Sequence, residues 1–197
     1  MNDAKRRAIF VDRDGVVNVE QPDYVRSWKE FRFLAGAVES LVRLGGTTLP
    51  ILVVTNQSAV NRGLLKRETL ENIHERMVAE IEKCGGRIDG IFYCPHTPSE
   101  NCDCRKPRPG LLLRASRDLG ITLRGSYFVG DSAADVMAAA SVGCIPILVR
   151  SKGTQDESPL DITSLPRETL FLDHLGAAAD YIIGAELKGL QPDGLPS

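Results

Sequence analysis

Short, mainly apolar runs alternate with longer amphipathic stretches along this chain, and that alternation leaves few folds open. The runs are Ala8–Val11, Pro50–Val54, Ile88–Tyr93, Ser126–Val129 and Ile145–Val149. Apolar side chains at successive positions suit strands buried on both faces. Between them, Ala37–Leu44 sets Val38, Leu41, Val42 and Leu44 on one side and stops at Gly45-Gly46. Lys66–Cys84 spaces Leu70, Ile73, Met77, Val78 and Ile81 helically and stops at Gly85-Gly86. Gly110–Leu119 ends at Gly120, and the small-residue stretch Ala133–Val142 ends at Gly143. Glycine just past a periodic stretch is a helix stop. Strand–helix alternation requires crossover connections, hence an α/β fold with a parallel sheet and helices on both faces.

The rest of the chain is less periodic. Lys152–Glu168 is polar, carries Pro159 and Pro166, and reads as a surface loop. A short helix is expected at Asp173–Ala178, an edge strand at Tyr181–Ile183 and a flexible tail at 191–197. At 197 residues, one domain over 1–190 accounts for the chain and leaves no room for a cap domain. The net charge of -2 gives no global reason to expect nucleic acid or an anionic membrane as partner. The apolar run at Ala8–Val11 is shorter than the ~7–15 residues of a signal peptide, and no window nears the ~20 of a membrane span. A cytoplasmic monomer is therefore expected. Five cysteines, an odd number, argue for thiols or a metal over a disulfide framework.

In open parallel sheets, ligands sit beyond the carboxyl ends of the strands. After the first run comes Asp12-Arg13-Asp14-Gly15, and after the second Thr55-Asn56-Gln57-Ser58. Arg105 and Lys106 precede the fourth run, and Gly130-Asp131 closes it, with Asp135 four residues on. Taken singly, each has an ordinary explanation: an Asp after a strand often caps a helix, and Thr-Asn is a common turn pair. Together they gather carboxylates at one sheet edge. At ~4 Å and an effective dielectric of ~20, a like-charge pair repels by about 4 kcal/mol. A divalent cation removes that penalty, and an all-oxygen set suits Mg²⁺.

Asp12-Arg13-Asp14-Gly15-Val16-Val17-Asn18, Thr55-Asn56-Gln57-Ser58, Arg105-Lys106-Pro107 and Gly130-Asp131 with Asp135 resemble, in order and spacing, the four motifs of the haloacid dehalogenase (HAD) superfamily phosphatases. The resemblance covers roughly residues 8–150 and is strongest to the histidinol-phosphatase branch. It implies a capless, HAD-like Rossmannoid sheet. It implies Asp12 as nucleophile and Asp14 as acid and base. Asp12, Asp131 and the Asp14 main-chain carbonyl would hold Mg²⁺. Thr55 and the Asn56 amide would bind phosphoryl oxygens, and Lys106 would neutralise charge in the transition state. Asp135 either orients Lys106 or metal-bound water, or stabilises its own helix.

Cys94-Pro95-His96 and Cys102-Asp103-Cys104 place three thiols and an imidazole within eleven residues. Cys₃His is a tetrahedral structural zinc set, and four protein ligands leave no open position for catalysis. The resembled branch carries the same zinc-binding loop. Cys84 and Cys144 read as core residues.

Arg13, Thr55, Asn56, Gln57, Ser58, Arg105 and Lys106 are the candidate substrate-binding residues, with Arg105 the sharpest for specificity. Its planar fork suits a second phosphate or sugar hydroxyls. Val19–Trp28 and Ser58–Gly63 flank the pocket; Trp28 and Tyr24 either contact ligand or pin their loop. The branch's Thr-Asn-Gln-Ser-Gly string ends here in Ala59, which is strained if that position needs a positive φ. His74 reads as a core or surface residue. The resemblance implies a small phosphorylated metabolite as substrate. D-glycero-D-manno-heptose 1,7-bisphosphate, losing its 7-phosphate, stands first, with histidinol phosphate as the alternative. A reading of another class is an inactive, zinc-clipped module that binds a phospho-ligand or a protein.

Overall fold

A computed structural model describes residues 6–150 and 162–189. Six parallel strands form one sheet: β1 (Ile9–Val11), β2 (Ile51–Asn56), β3 (Gly90–Cys94), β4 (Tyr127–Gly130), β5 (Ile145–Val149) and β6 (Leu170–Leu172). Their spatial order is β3-β2-β1-β4-β5-β6. Five helices connect or follow them: α1 (Ala37–Gly45), α2 (Arg67–Lys83), α3 (Gly110–Leu119), α4 (Ala133–Ala140) and α5 (Leu175–Leu187). Ile9 pairs with both Ile51 and Tyr127, so β1 lies at the centre, where strand order reverses. That reversal opens a crevice at the carboxyl ends of β1 and β4.

Alternation along each strand builds two cores. Ile9, Val11, Ile51 and Val53 pack with Leu41 and Leu44 of α1, Ile73 and Met77 of α2, and Ala178 and Ile182 of α5. Phe10, Leu52, Val54 and Phe128 pack on the other face, with Leu111 and Ala115 of α3 and Ala138 and Ala139 of α4. Helices therefore lie on both faces, as expected. Leu41 and Leu70 are fully buried, and truncating either to alanine should cost about 2–5 kcal/mol.

The carboxyl-terminal elements differ from the sequence expectation. Tyr181–Ile183 lies inside α5 and is not an edge strand. Leu175, Ala178, Ala179 and Ile182 form one buried helical stripe, and the local β preference of Tyr-Ile-Ile yields to it. The helix expected at Asp173–Ala178 starts at Leu175, with the His174 ring accepting from the Ala177 N–H, and runs on to Leu187. The sixth strand is Leu170–Leu172, paired with Ile147–Val149 of β5. Three residues carry too little periodicity to announce a strand. Most of the expected loop at 152–168, and the tail at 191–197, lie outside the described residues. Ala59 is buried and is not among the positive-φ residues, so its methyl fits the Thr55–Ser58 loop without strain.

Candidate active site

Lys106 is the centre of the crevice. Its Nζ lies 3.0 Å from Asp12 Oδ2 and 2.6 Å from Asp135 Oδ1, and it donates to the Val54 carbonyl at 2.9 Å. The side chain is almost wholly buried, and its stem comes from the β3–α3 connection. Asn56, ending β2, clamps that connection: its Oδ1 accepts from the Lys106 N–H and its Nδ2 donates to the Lys106 carbonyl. The Asn56 side chain is thereby committed to the backbone of Lys106, which leaves its main-chain amide as the group that could meet a ligand.

Asp12, Asp131 and Asp135 bring carboxylate oxygens within 4.8 Å of one another. Gly15 makes this approach possible. It has φ 77°, and a Cβ there would stand 1.7 Å from Asp131 Oδ2. Burial, then the neighbouring carboxylates, pushes Asp131 up to about 9. Burial likewise pushes Asp12 up to about 7, against the lowering effect of Lys106. Lys106 is itself raised: the charges of Asp12 and Asp135 outweigh its burial. One ammonium facing three crowded carboxylates leaves negative charge uncompensated. An all-oxygen set of this kind fits a divalent cation such as Mg²⁺. Asp135 does both things weighed for it. Its Oδ2 accepts from the Ser132 N–H and Oγ in a capping box that opens α4, while its Oδ1 meets Lys106.

The Asp14 carboxyl points away from that cluster. It accepts from Arg13 Nη2 at 2.9 Å, Asn18 Nδ2 at 2.9 Å and Gln57 Nε2 at 2.7 Å. Burial alone would raise it, but the Arg13 charge and these bonds hold it below the usual carboxylate range. Any part Asp14 takes in holding a metal falls to its main chain. Gln57 Nε2 also donates to Thr55 Oγ1 at 2.9 Å, tying the second motif to the first.

Arg13, a candidate substrate-binding residue, borders the cleft, but its guanidinium is engaged inside the protein. Its side chain is 1% exposed, pairs with Asp14 and meets His74 Nε2 at 3.1 Å. Its Nη2 meets both oxygens of Asp14 and its Nη1 meets His74. His74, on α2, is the polar neighbour that sequence reasoning left aside. A histidine among helical core positions carries no local signal of what it meets across the fold.

The cleft over these groups measures about 990 Å³. Thr55, Asn56, Gln57, Ser58, Arg105 and Lys106 line it, with Glu20, Gln21, Tyr24 and Val25 from the loop after β1. Trp28 does not line it; its ring stacks on Phe31 at 5.0 Å and pins the loop. Leu148, Val149 and Arg150 at the end of β5, with Phe171, Leu172 and Asp173 at the end of β6, form the far wall, and the β6 part of it has no signal in the sequence. Arg105 lines the cleft and donates to the His96 carbonyl at 3.3 Å.

Beside the cleft, Cys94, His96, Cys102 and Cys104 converge. Their ligand atoms lie between 3.2 and 3.6 Å apart along the edges of one cluster. A tetrahedron with metal–sulfur bonds of about 2.3 Å has edges of about 3.8 Å, so the donor set and its spacing fit a zinc ion. A capping box at Thr97 and Glu100 shapes the intervening turn, and Asn101 occupies a left-handed conformation at its end.

Residues 103–178 match the Hydrolase_like family, described as HAD-hyrolase-like. The chain is 37% identical over 179 residues to the D-glycero-beta-D-manno-heptose-1,7-bisphosphate 7-phosphatase of Pseudomonas aeruginosa, covering 90% of this chain and 98% of that one. It is 39% identical over 178 residues to the same-named enzyme of Pseudomonas putida, covering 90% and 99%. Its fold superposes on the crystal structure of D,D-heptose 1.7-bisphosphate phosphatase from B. bronchiseptica, complexed with magnesium and phosphate. There the TM-score is 0.83 and the identity 36%, covering 90% of this chain and 98% of that one. Similarity of this extent, together with the strand-end carboxylates and their lysine, makes the chain a member of the D-glycero-D-manno-heptose-1,7-bisphosphate 7-phosphatase family of HAD-like hydrolases.

Proposed function

We propose that this phosphatase removes the 7-phosphate of D-glycero-D-manno-heptose 1,7-bisphosphate through a phosphorylated Asp12. The observation that carries the chemistry is the placement of Asp12 against Lys106 at the strand-order reversal, with Asp14 held two residues on by its own set of donors. Asp12 attacks phosphorus, and the bond from phosphorus to the sugar oxygen breaks. Asp14, which its donors keep ionised in the resting site, takes up a proton from solvent as substrate binds and passes it to that departing oxygen. It then takes a proton from the water that attacks the aspartyl-phosphate, which frees inorganic phosphate and restores Asp12. Lys106 and the Thr55–Asn56 segment offset charge on the phosphoryl oxygens. Asp12, Asp131 and the Asp14 carbonyl would hold Mg²⁺, which would supply charge neutralisation between the phosphate and the attacking carboxylate.

The substrate assignment follows the relatives' names and is supported by the cleft. Beyond the phosphoryl site it continues past Arg105 on one wall and Arg150 on the other, which suits a second anionic group. The Cys94, His96, Cys102 and Cys104 cluster would hold structural zinc and so stiffen the loop that presents Arg105 and Lys106. No helix among the described residues is long and apolar enough to cross a membrane. We take the protein to act as a monomer in the cytoplasm.

The test is a kcat/KM panel with Mg²⁺ covering both anomers of the heptose bisphosphate, histidinol phosphate and simple alkyl phosphates. A preference of tenfold or more for the bisphosphate supports the assignment. Preference for histidinol phosphate refutes the substrate, and absence of Mg²⁺-dependent turnover of any ester refutes the mechanism.

A further inference from the structure

Arg13 sits between the two aspartates of the first motif, and its guanidinium is held between Asp14 and His74. Its Nη2 lies 2.9 Å from both oxygens of Asp14, and its Nη1 lies 3.1 Å from His74 Nε2. A guanidinium has donors and no lone pair, so His74 Nε2 must accept. The imidazole is therefore neutral, with its proton on Nδ1. Burial, then the Arg13 charge, pushes His74 down to about 3, which keeps it in that form. The ring is 5% exposed and rests against Tyr93 of β3, with centroids 5.7 Å apart. Helix α2 thus reaches Asp14 through one histidine and one arginine. Asn18 and Gln57 bond Asp14 from other directions, but neither orients the guanidinium.

We infer that His74 is a positioning residue: it fixes the plane of the Arg13 guanidinium, which in turn holds the Asp14 carboxyl toward the oxygen that leaves and the water that attacks. Without the acceptor, Nη1 is buried with nothing to receive its proton, and the guanidinium is free to turn about its last bond. A displacement of about 1 Å in a catalytic group costs on the order of 10²-fold in rate. The inference rests on Asp14 being the acid and base.

The experiment compares two leaving groups. An alkoxide must be protonated as it departs, whereas 2,4-dinitrophenolate leaves without help. His74→Leu keeps volume and removes the acceptor. His74→Gln returns an acceptor oxygen near the position of Nε2. On the best alkyl phosphate of the wild-type protein, His74→Leu should lower kcat about 10–100-fold, with KM within about threefold by the same positioning argument. The single-turnover burst from 2,4-dinitrophenyl phosphate should fall less than about threefold, because that step needs no acid. His74→Gln should recover most of the alkyl phosphate rate. If His74→Leu does not fold, His74→Asn serves, since its amide is too short to reach Nη1. Equal losses on both esters, no loss on the alkyl ester, or no recovery in His74→Gln overturns the inference. Asp14→Asn separates the two claims. Should it lack the leaving-group dependence, the role of Asp14 is wrong; should it show the dependence while the His74 variants do not, only the positioning role is wrong.

Discussion

Lys106 Nζ lies 2.6 Å from Asp135 Oδ1, and both side chains are almost wholly buried. Lys106 is also the ammonium that faces Asp12, so one buried cation serves both a helix-capping aspartate and the proposed nucleophile. Lys106→Met keeps the stem and removes the charge, leaving buried carboxylates without their partner. It should cost about 3–5 kcal/mol in divalent-free buffer and lower kcat about 10²–10³-fold. Denaturant unfolding with and without Mg²⁺ checks this, since the cation should restore part of the stability. A variant as stable as wild type without Mg²⁺ contradicts the reading.

Asp12 at about 7 and Asp131 at about 9 both titrate above the usual carboxylate range. A raised carboxyl pKa means the folded protein holds protons that the unfolded chain has released. Metal-free stability should therefore fall as pH rises from about 4 toward about 9. Mg²⁺ must displace those protons, so its apparent affinity should rise across the same window. Calorimetric titrations at pH 6 and pH 8.5 test this; equal affinities would show that the cluster is not the metal site.

His74 carries the opposite shift, down to about 3. The unfolded chain takes up its proton near pH 6.5 and the folded protein does not. This contribution is present above pH 6.5 and is lost as pH falls toward 3. Relative to His74→Gln, which cannot titrate, the wild type should lose stability on acidification through that range. Parallel unfolding curves for the two proteins between pH 7 and pH 4 would argue that the imidazole is protonated in the fold.

Metal analysis should find about one zinc per chain. Cys104→Ala, or prolonged chelation, should lower Tm by several degrees and raise KM more than it lowers kcat, since the cluster precedes Arg105 and Lys106 directly. A protein of full activity and unchanged Tm without zinc would sink the structural role.

Arg105 should act on the second anionic group of a bisphosphate. Arg105→Ala should raise KM about 10–100-fold for the bisphosphate, the worth of one charge-assisted pair, and change kcat/KM for a simple alkyl monophosphate far less. Equal effects on the two substrates would place Arg105 in loop stability instead.

How much of this could be read in the chain depends on how local each feature is. The first five strands could be placed because each is an apolar run that adjoins one of four helical stretches ended by glycine. The carboxylates of Asp12, Asp14 and Asp131 could be placed because they follow those strands directly. The Cys94–Cys104 cluster could be placed because its ligands lie within eleven residues. Leu170–Leu172 and the β6 part of the cleft's far wall could not, since three residues held in place by β5 carry no pattern of their own.

The sequence by itself determined an α/β sheet, a row of acidic strand ends with one lysine, and a soft-ligand loop beside them, because apolar periodicity and ligand spacing are local properties. Only the tertiary structure decided which way each side chain turns. It buried the Arg13 guanidinium against His74, a residue sixty-one positions away. It gave Asp135 two partners at once, and committed the Asn56 side chain to the Lys106 backbone. Those choices depend on which groups must share a charge or a hydrogen bond once water is excluded, and that is settled between distant segments.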